Sequence, residues 1–211
     1  MTDKIWYTCY GSNLFTDRFI TYIKGGIVPG TSIVETGCRD KSNPIAIEKF
    51  ILPYELFFAG HSARWNKQGV GFISSVPNSN VKTYGKRYLI TKEQFSDVVC
   101  QENNIAKEAF GSIYIPEFNE VGDKILFPNN SYGRVVCVGF DNDIPILTFT
   151  SVKETLETAT IPSIEYLNMI ANGIHQTHQL SKEEIVNYFL GLTGVRDEYS
   201  KDFLIKNITI N

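Results

Sequence analysis

The sequence predicts an α+β fold, a mostly antiparallel sheet or barrel with helices gathered toward the C-terminus. Three observations carry that expectation. Short runs rich in aromatic and β-branched residues recur between turn signals from Lys4 to Thr150. The pattern changes at Pro162, after which apolar residues recur at helical spacing. Two S/T-x-x-E/Q signatures, Thr91–Gln94 and Ser181–Glu184, mark helix starts.

Residues 4–10, KIWYTCY, read as a first strand that stops at Gly11, and Gly11-Ser12-Asn13 reads as a turn. Leu14, Phe15, Arg18, Phe19, Tyr22 and Ile23 then follow helical spacing until Gly25-Gly26. Pro29-Gly30, Gly37, Asn43 and Pro44 break any long element in residues 27–50. YELFFA (54–59), GVGFIS (69–74) and YGKRYLI (84–90) read as strands, with a turn at Pro77–Asn80. A helix capped by Thr91 is expected to run through Phe95, Val98 and Val99 toward Glu102 and to end at Asn103-Asn104. Further strands are expected at 112–115, 124–127, 133–140 and 146–150, with turns at Tyr132-Gly133 and Asp141–Asp143. A helix opening at Pro162 is expected to end near Gly173, and another to start at Ser181.

The chain has 211 residues, enough to bury a substantial core in one domain or one domain with an insertion. Hydrophobic residues make up 43% and charged residues 20%, which excludes a disordered class. A net charge of −3 and a pI near 5.7 give no global attraction to nucleic acid or anionic lipid, so a small-molecule or protein ligand is the expectation. The N-terminus lacks the basic start and apolar run of a signal peptide, and no apolar segment is long enough to suggest a membrane span. The four cysteines lack a CxxC pair and are expected to be reduced, mostly buried thiols in a cytoplasmic chain.

Two places can carry chemistry. In the strand–YGSN–helix junction, consecutive backbone N–H groups make a pocket for a carboxylate or oxyanion, to which Ser12 and Asn13 can add donors. The same pattern also describes a simple capped turn. Glu102, after Val98-Val99-Cys100, is a carboxyl group that desolvation would tune toward acid/base work, or else an exposed helix-end glutamate. His175 and His178 sit one helical turn apart without a third ligand of metal-site spacing and read as solvated or partner-bonded. Lys86-Arg87 reads as a solvated strand edge, and Trp6 and Trp65 as core or pocket wall.

Four stretches carry a resemblance. YGSNL at 10–14, directly after the first strand, resembles the signature of the γ-glutamylcyclotransferase-like family, which includes the AIG2-like proteins. LPYELFFAGHSARWNKQGVGFI (52–73), YGKRYLITKEQFSDVVCQEN (84–103) and PSIEYLNMIANG (162–173) resemble further family stretches in order and spacing. The resemblance implies a small, mixed or mostly antiparallel β-barrel with surrounding helices, forming one domain over residues 1–211. It implies that Tyr10, Gly11, Ser12, Asn13 and Leu14 form the substrate-binding loop, with Tyr166 as a further pocket residue and Glu102 as general acid/base. The implied reaction cyclises a γ-glutamyl amine, amino acid or peptide to 5-oxoproline without metal or organic cofactor. The implied partner is that small molecule rather than nucleic acid or membrane, with the oligomeric state open, a homodimer included. A related acyl-transfer or amide-handling enzyme and a non-enzymatic binding module on the same fold are the alternatives. Three features depart from the family. Asn103 stands where Gly often follows the glutamate, residues 24–51 form a long connection or insertion, and residues 193–211 extend beyond the matched region.

Overall fold

The computed structural model describes residues 3–28, 32, 34–153 and 159–210, so the break expected at Pro29-Gly30 lies outside the described residues. The elements of its first half are β1 (Lys4–Cys9), α1 (Thr16–Lys24), β2 (Gly26–Ile27), β3 (Val34–Glu35), β4 (Ala46–Leu52), β5 (Leu56–Ser62) and β6 (Gln68–Ile73). They are followed by β7 (Thr83–Thr91), α2 (Lys92–Glu102), β8 (Gly122–Ile125), β9 (Arg134–Asp141) and β10 (Ile144–Thr150). Three helices close the chain: α3 (Ile164–His178), α4 (Lys182–Phe189) and α5 (Lys201–Asn207). Two compact units divide it, one of Met1–Thr8, Asp17–Glu48 and Arg87–Val152, the other of Cys9–Thr16, Lys49–Lys86 and Lys153–Asn211. The unit boundaries fall within β4 and β7.

The first unit is organised by a six-stranded sheet in the order β4-β7-β1-β10-β9-β8. β1 pairs with β10 in parallel, with Trp6 opposite Ile146, whereas β10–β9 and β9–β8 are antiparallel. Asn142 and Asp143 join β9 to β10 with φ of 47° and 65°, left-handed values that match the twist of a two-residue hairpin. Tyr7 lies at the centre of the aromatic core, stacked on Phe149 at 5.4 Å and tilted against Phe19 and Phe95 at 5.3 and 5.7 Å. Such ring pairs add about 0.5–1.5 kcal/mol each beyond the area they bury. Phe95 thereby packs α2, whose last residue is Glu102, onto this core.

The second unit combines the β5–β6 hairpin with α3, α4 and α5. A 3₁₀ turn at Ala63–Trp65 and left-handed Asn66 and Lys67 reverse the chain between the two strands. Backbone bonds from Phe58 N to Thr193 O and from Gly69 N to Ile161 O, 3.0 and 2.9 Å, tie the hairpin to the segments flanking the helices.

Several expectations need correction. The sheet is not closed into a barrel, because β4 and β8 end its strand order and closure would need every edge paired. The four residues of β8 are all exposed, as an unpaired edge allows. Residues 112–115 are not a strand. A 3₁₀ turn at Lys107–Ser112 takes the chain instead, held where Ser112 Oγ donates to Ala109 O at 2.7 Å, a serine bonding its own backbone. β4 escaped the sequence reading because Glu48 and Lys49 interrupt its alternation, which an edge strand tolerates. α3 passes through Gly173 and ends at His178. A Cβ at Gly173 would strike the Leu14 carbonyl carbon and Cβ and stand 2.6 Å from Phe15 N. Glycine is there for close approach, not to stop the helix.

Candidate active site

In the second unit the chain leaves β1 at Cys9, and Tyr10 leads into a 3₁₀ turn over Ser12–Leu14. Leu14 N donates to Gly11 O at 3.0 Å and Phe15 N to Ser12 O at 3.1 Å. Tyr10, Ser12, Asn13 and Leu14 are buried, and Gly11 is half-buried. Gly11 has φ −110°, which any residue can adopt, so its identity has another cause. A Cβ there would lie 2.9 Å from the Tyr166 hydroxyl. Tyr166 sits in the first turn of α3, its N–H donating to the cap side chain of Ser163 at 3.1 Å. Its hydroxyl accepts from Gly71 N at 3.1 Å, and its ring packs on Trp65 at 4.8 Å and edge-on to Phe58 at 6.1 Å. The YGSNL and PSIEYL stretches therefore meet at one contact, and Trp65 is a buried wall beside it. Lys86 is also buried here, with its Nζ donating to Leu14 O and Thr16 Oγ1 at 2.5 and 2.8 Å.

That burial corrects the reading of Lys86-Arg87 as a solvated edge. The missed signal was the strand period, since Lys86 is in phase with Tyr88 and Ile90. Arg87, on the other phase, lies in the first unit with its guanidinium 4.1 Å from the Trp6 ring centroid and bonded to Glu48 and Asp141.

Glu102 belongs to the first unit, half-buried at the end of α2. The helix starts as expected, with Thr91 and Gln94 forming a reciprocal capping box. Residues 37–42 are fastened along it. Gly37 N donates to Gln101 Oε1 at 3.0 Å, Gln94 Nε2 donates to Ser42 O at 2.8 Å, and the Arg39 guanidinium forks onto Asp97. Asn103 takes φ −99°, so the site after the glutamate does not call for glycine, and Asn104 takes the left-handed turn at φ 54°. Asn103 Nδ2 donates to Val99 O at 2.9 Å and Tyr132 O at 3.0 Å, while its Oδ1 accepts from Tyr132 N at 3.2 Å. Asn130 Nδ2 adds a bond to its carbonyl at 2.9 Å. The asparagine thus binds the end of α2 to the loop before β9.

The other reactive side chains are engaged structurally. All four cysteines are free thiols and buried, and burial with the nearby Asp97 charge pushes Cys100 up to about 11, so it stays protonated at neutral pH. His61, His175 and His178 each place a ring nitrogen 2.8–2.9 Å from a backbone carbonyl, of Lys67, Leu180 and Gly85 respectively. Among the described residues, no group of His, Cys, Asp and Glu is arranged to hold a metal, and no helix is long and apolar enough to cross a membrane.

No protein-family model matches the chain. Histone deacetylase 5 of Arabidopsis thaliana is 36% identical over 197 residues, covering 87% of this chain. The chain spans only 30% of that protein's length. A solved γ-glutamyl cyclotransferase superposes with a TM-score of 0.50 at 16% identity, covering 99% of this chain and 89% of that one. A crystal structure of an uncharacterized Homo sapiens protein gives the same TM-score and identity over 100% and 90% of the two chains. The chain has the fold of a γ-glutamyl cyclotransferase. At that identity the likeness speaks for the fold, a mixed α+β arrangement with a mainly antiparallel sheet and helices.

Proposed function

We propose that the chain is a cyclotransferase acting on γ-glutamyl amines, amino acids or peptides, with Glu102 as the proton carrier. The observation that carries this reading is the contact of Gly11 with the Tyr166 hydroxyl. It joins two sequence stretches, far apart in the chain, that the family resemblance assigns to one substrate wall. The likeness of fold to a γ-glutamyl cyclotransferase supports the same class.

The chemistry follows from the substrate. A γ-glutamyl compound carries an α-ammonium group that cannot attack until it loses a proton. The Glu102 carboxylate takes that proton, the amine nitrogen forms a bond to the γ-carbonyl carbon, and a five-membered ring closes. The original amide C–N bond then breaks as Glu102 returns the proton to the leaving nitrogen. The ring nitrogen sheds its second proton as the lactam forms and the freed amine takes it up, so the products are 5-oxoproline and the amine as its ammonium. Tyr10, Gly11, Ser12, Asn13 and Leu14 hold the glutamyl moiety, and donors of the turn bind its carboxylate or the developing oxyanion. Tyr166 holds the turn in place. Attack is intramolecular, so the protein's contribution is to fold the substrate and carry one proton.

A non-enzymatic binding module on this fold is the second reading. It is favoured by the similarity to part of a much longer protein whose name refers to a different activity. Product analysis separates the two. The purified chain is incubated with a panel of γ-glutamyl amines, amino acids and peptides, and 5-oxoproline and glutamate are both quantified. Release of 5-oxoproline in step with amine is the expected result. Glutamate in its place would indicate hydrolysis, and no product from any substrate would leave the binding module standing.

A further inference from the structure

We propose that Lys86 is the positioning residue of the Gly11–Leu14 turn, and that its ammonium sets the conformation in which the turn receives a carboxylate-bearing ligand. The ligand half rests on the function proposed above; the hold on the turn does not.

Lys86 is only 2% exposed, on a strand face shared with the buried Tyr88 and Ile90. A lysine in such a place is seldom tolerated unless its ammonium is bonded. Nζ donates to Leu14 O at 2.5 Å and to Thr16 Oγ1 at 2.8 Å. The backbone of the same residue acts at the other end of the turn, where Cys9 Sγ donates to Lys86 O at 3.4 Å. One residue of β7 therefore grips the chain just before the turn and just after it.

The turn has reason to need this. A 3₁₀ segment of three residues has poor hydrogen-bond geometry and orphan carbonyls at its end. A cation placed at those carbonyls satisfies one of them and complements the local dipole. The bond also decides where the Leu14 carbonyl points. Committed to an ammonium, it cannot swing round toward an incoming carboxylate, which it would repel. The packing of Gly173 against Leu14 limits the residue from another side, leaving Lys86 to fix the polar group.

The test uses the full chain and three variants. Lys86→Met keeps length and volume but removes the donor, Lys86→Arg keeps the charge, and Thr16→Val removes one acceptor. The first readout is hydrogen exchange at the Leu14 and Phe15 amides, the donors of the two bonds inside the turn, with β9 amides as reference. The second is the affinity for 5-oxoproline as probe. In Lys86→Met, exchange at both amides is expected to rise about tenfold, a loss of roughly 1.4 kcal/mol of local stability, with β9 unchanged. Thr16→Val is expected to move the same amides less, and it carries the comparison if Lys86→Met does not fold. Affinity for 5-oxoproline is expected to fall about tenfold in Lys86→Met, the loss of one charge-assisted bond's worth of order, and to recover in part in Lys86→Arg. Unchanged exchange at Leu14 and Phe15 would overturn the positioning role. Faster exchange with unchanged affinity would overturn its link to the ligand. A wild type that does not bind 5-oxoproline would count against the carboxylate ligand, while the exchange result would still decide what Lys86 does to the turn.

Discussion

At the Gly11–Leu14 turn the chain is held by closeness. Gly11 lies against the Tyr166 hydroxyl, Gly173 against the Leu14 backbone, and Lys86 reaches in beneath the last carbonyl. At the end of α2 it is held by a polar net, in which Asn103 bonds both ways to Tyr132 and back to Val99. The two glycine contacts at the turn depend on the absence of side-chain atoms, whereas the Lys86 bond and the helix end depend on their presence. The glycine contacts should fail when atoms are added, the helix end when they are removed.

The largest structural effect is expected at Gly173. Its nearest obstacles are backbone atoms of Leu14 and Phe15, which cannot rotate away, so Gly173→Ala is expected to cost about 3 kcal/mol despite alanine's better helix propensity. Denaturant unfolding measures this, and a neutral result would mean that α3 does not press on the turn. Asn103→Ala removes the polar net and is expected to cost about 2 kcal/mol, since its three side-chain bonds, two of them only part-buried, contribute toward the low end of about 0.5–1.5 kcal/mol net each. Asn103→Gly should be no better, because the φ at this position does not favour glycine. Equal stability of Asn103→Gly and wild type would mean that the asparagine does not hold the end of α2.

Gly11→Ala comes next, at about 1–2 kcal/mol, because the obstacle is the tip of a side chain that can yield by giving up its bond to Gly71 N. Tyr166→Phe should relieve part of that clash, so the double mutant is expected to be less damaged than the sum of the singles. Strict additivity in unfolding experiments would show that the two residues do not touch. The smallest effect concerns His178. Burial, helped by Lys49 and Lys86, holds its pKa below the ordinary imidazole value of about 6.5, against a raising bond to Gly85 O. The unfolded chain therefore takes up the proton first as pH falls. This contribution to stability is complete above about pH 6.5 and is lost progressively below it. His178→Gln should flatten that segment of the pH–stability curve, and a curve that keeps its shape would assign the slope to other groups.

The difference between the two regions also explains what was legible in the sequence. The YGSNL turn could be read because close packing admits few residue types, and the capping box of Thr91 and Gln94 because its two bonds lie within one stretch. Gly173 was visible but misread, since the same letter serves a helix stop and a close approach, and only the partner Leu14 decides between them. Lys86 was misread because its partners, Leu14 and Thr16, lie some 70 residues away in the chain. Asn103 looked like a departure from the family, and the compensation for it, Tyr132, lies 29 residues further along the chain. The barrel expectation failed for a related reason. Local alternation finds strands, but which edges pair is a property of the whole sheet.

The proposed role of Glu102 as proton carrier is examined by comparing Glu102→Gln with wild type on a γ-glutamyl substrate. 5-Oxoproline release, substrate affinity and melting temperature are measured together. That role predicts a fall in kcat of about 10²–10⁴-fold, the usual worth of a general acid/base group, with affinity and melting temperature retained. A Glu102→Gln variant that forms 5-oxoproline at the wild-type rate would contradict it.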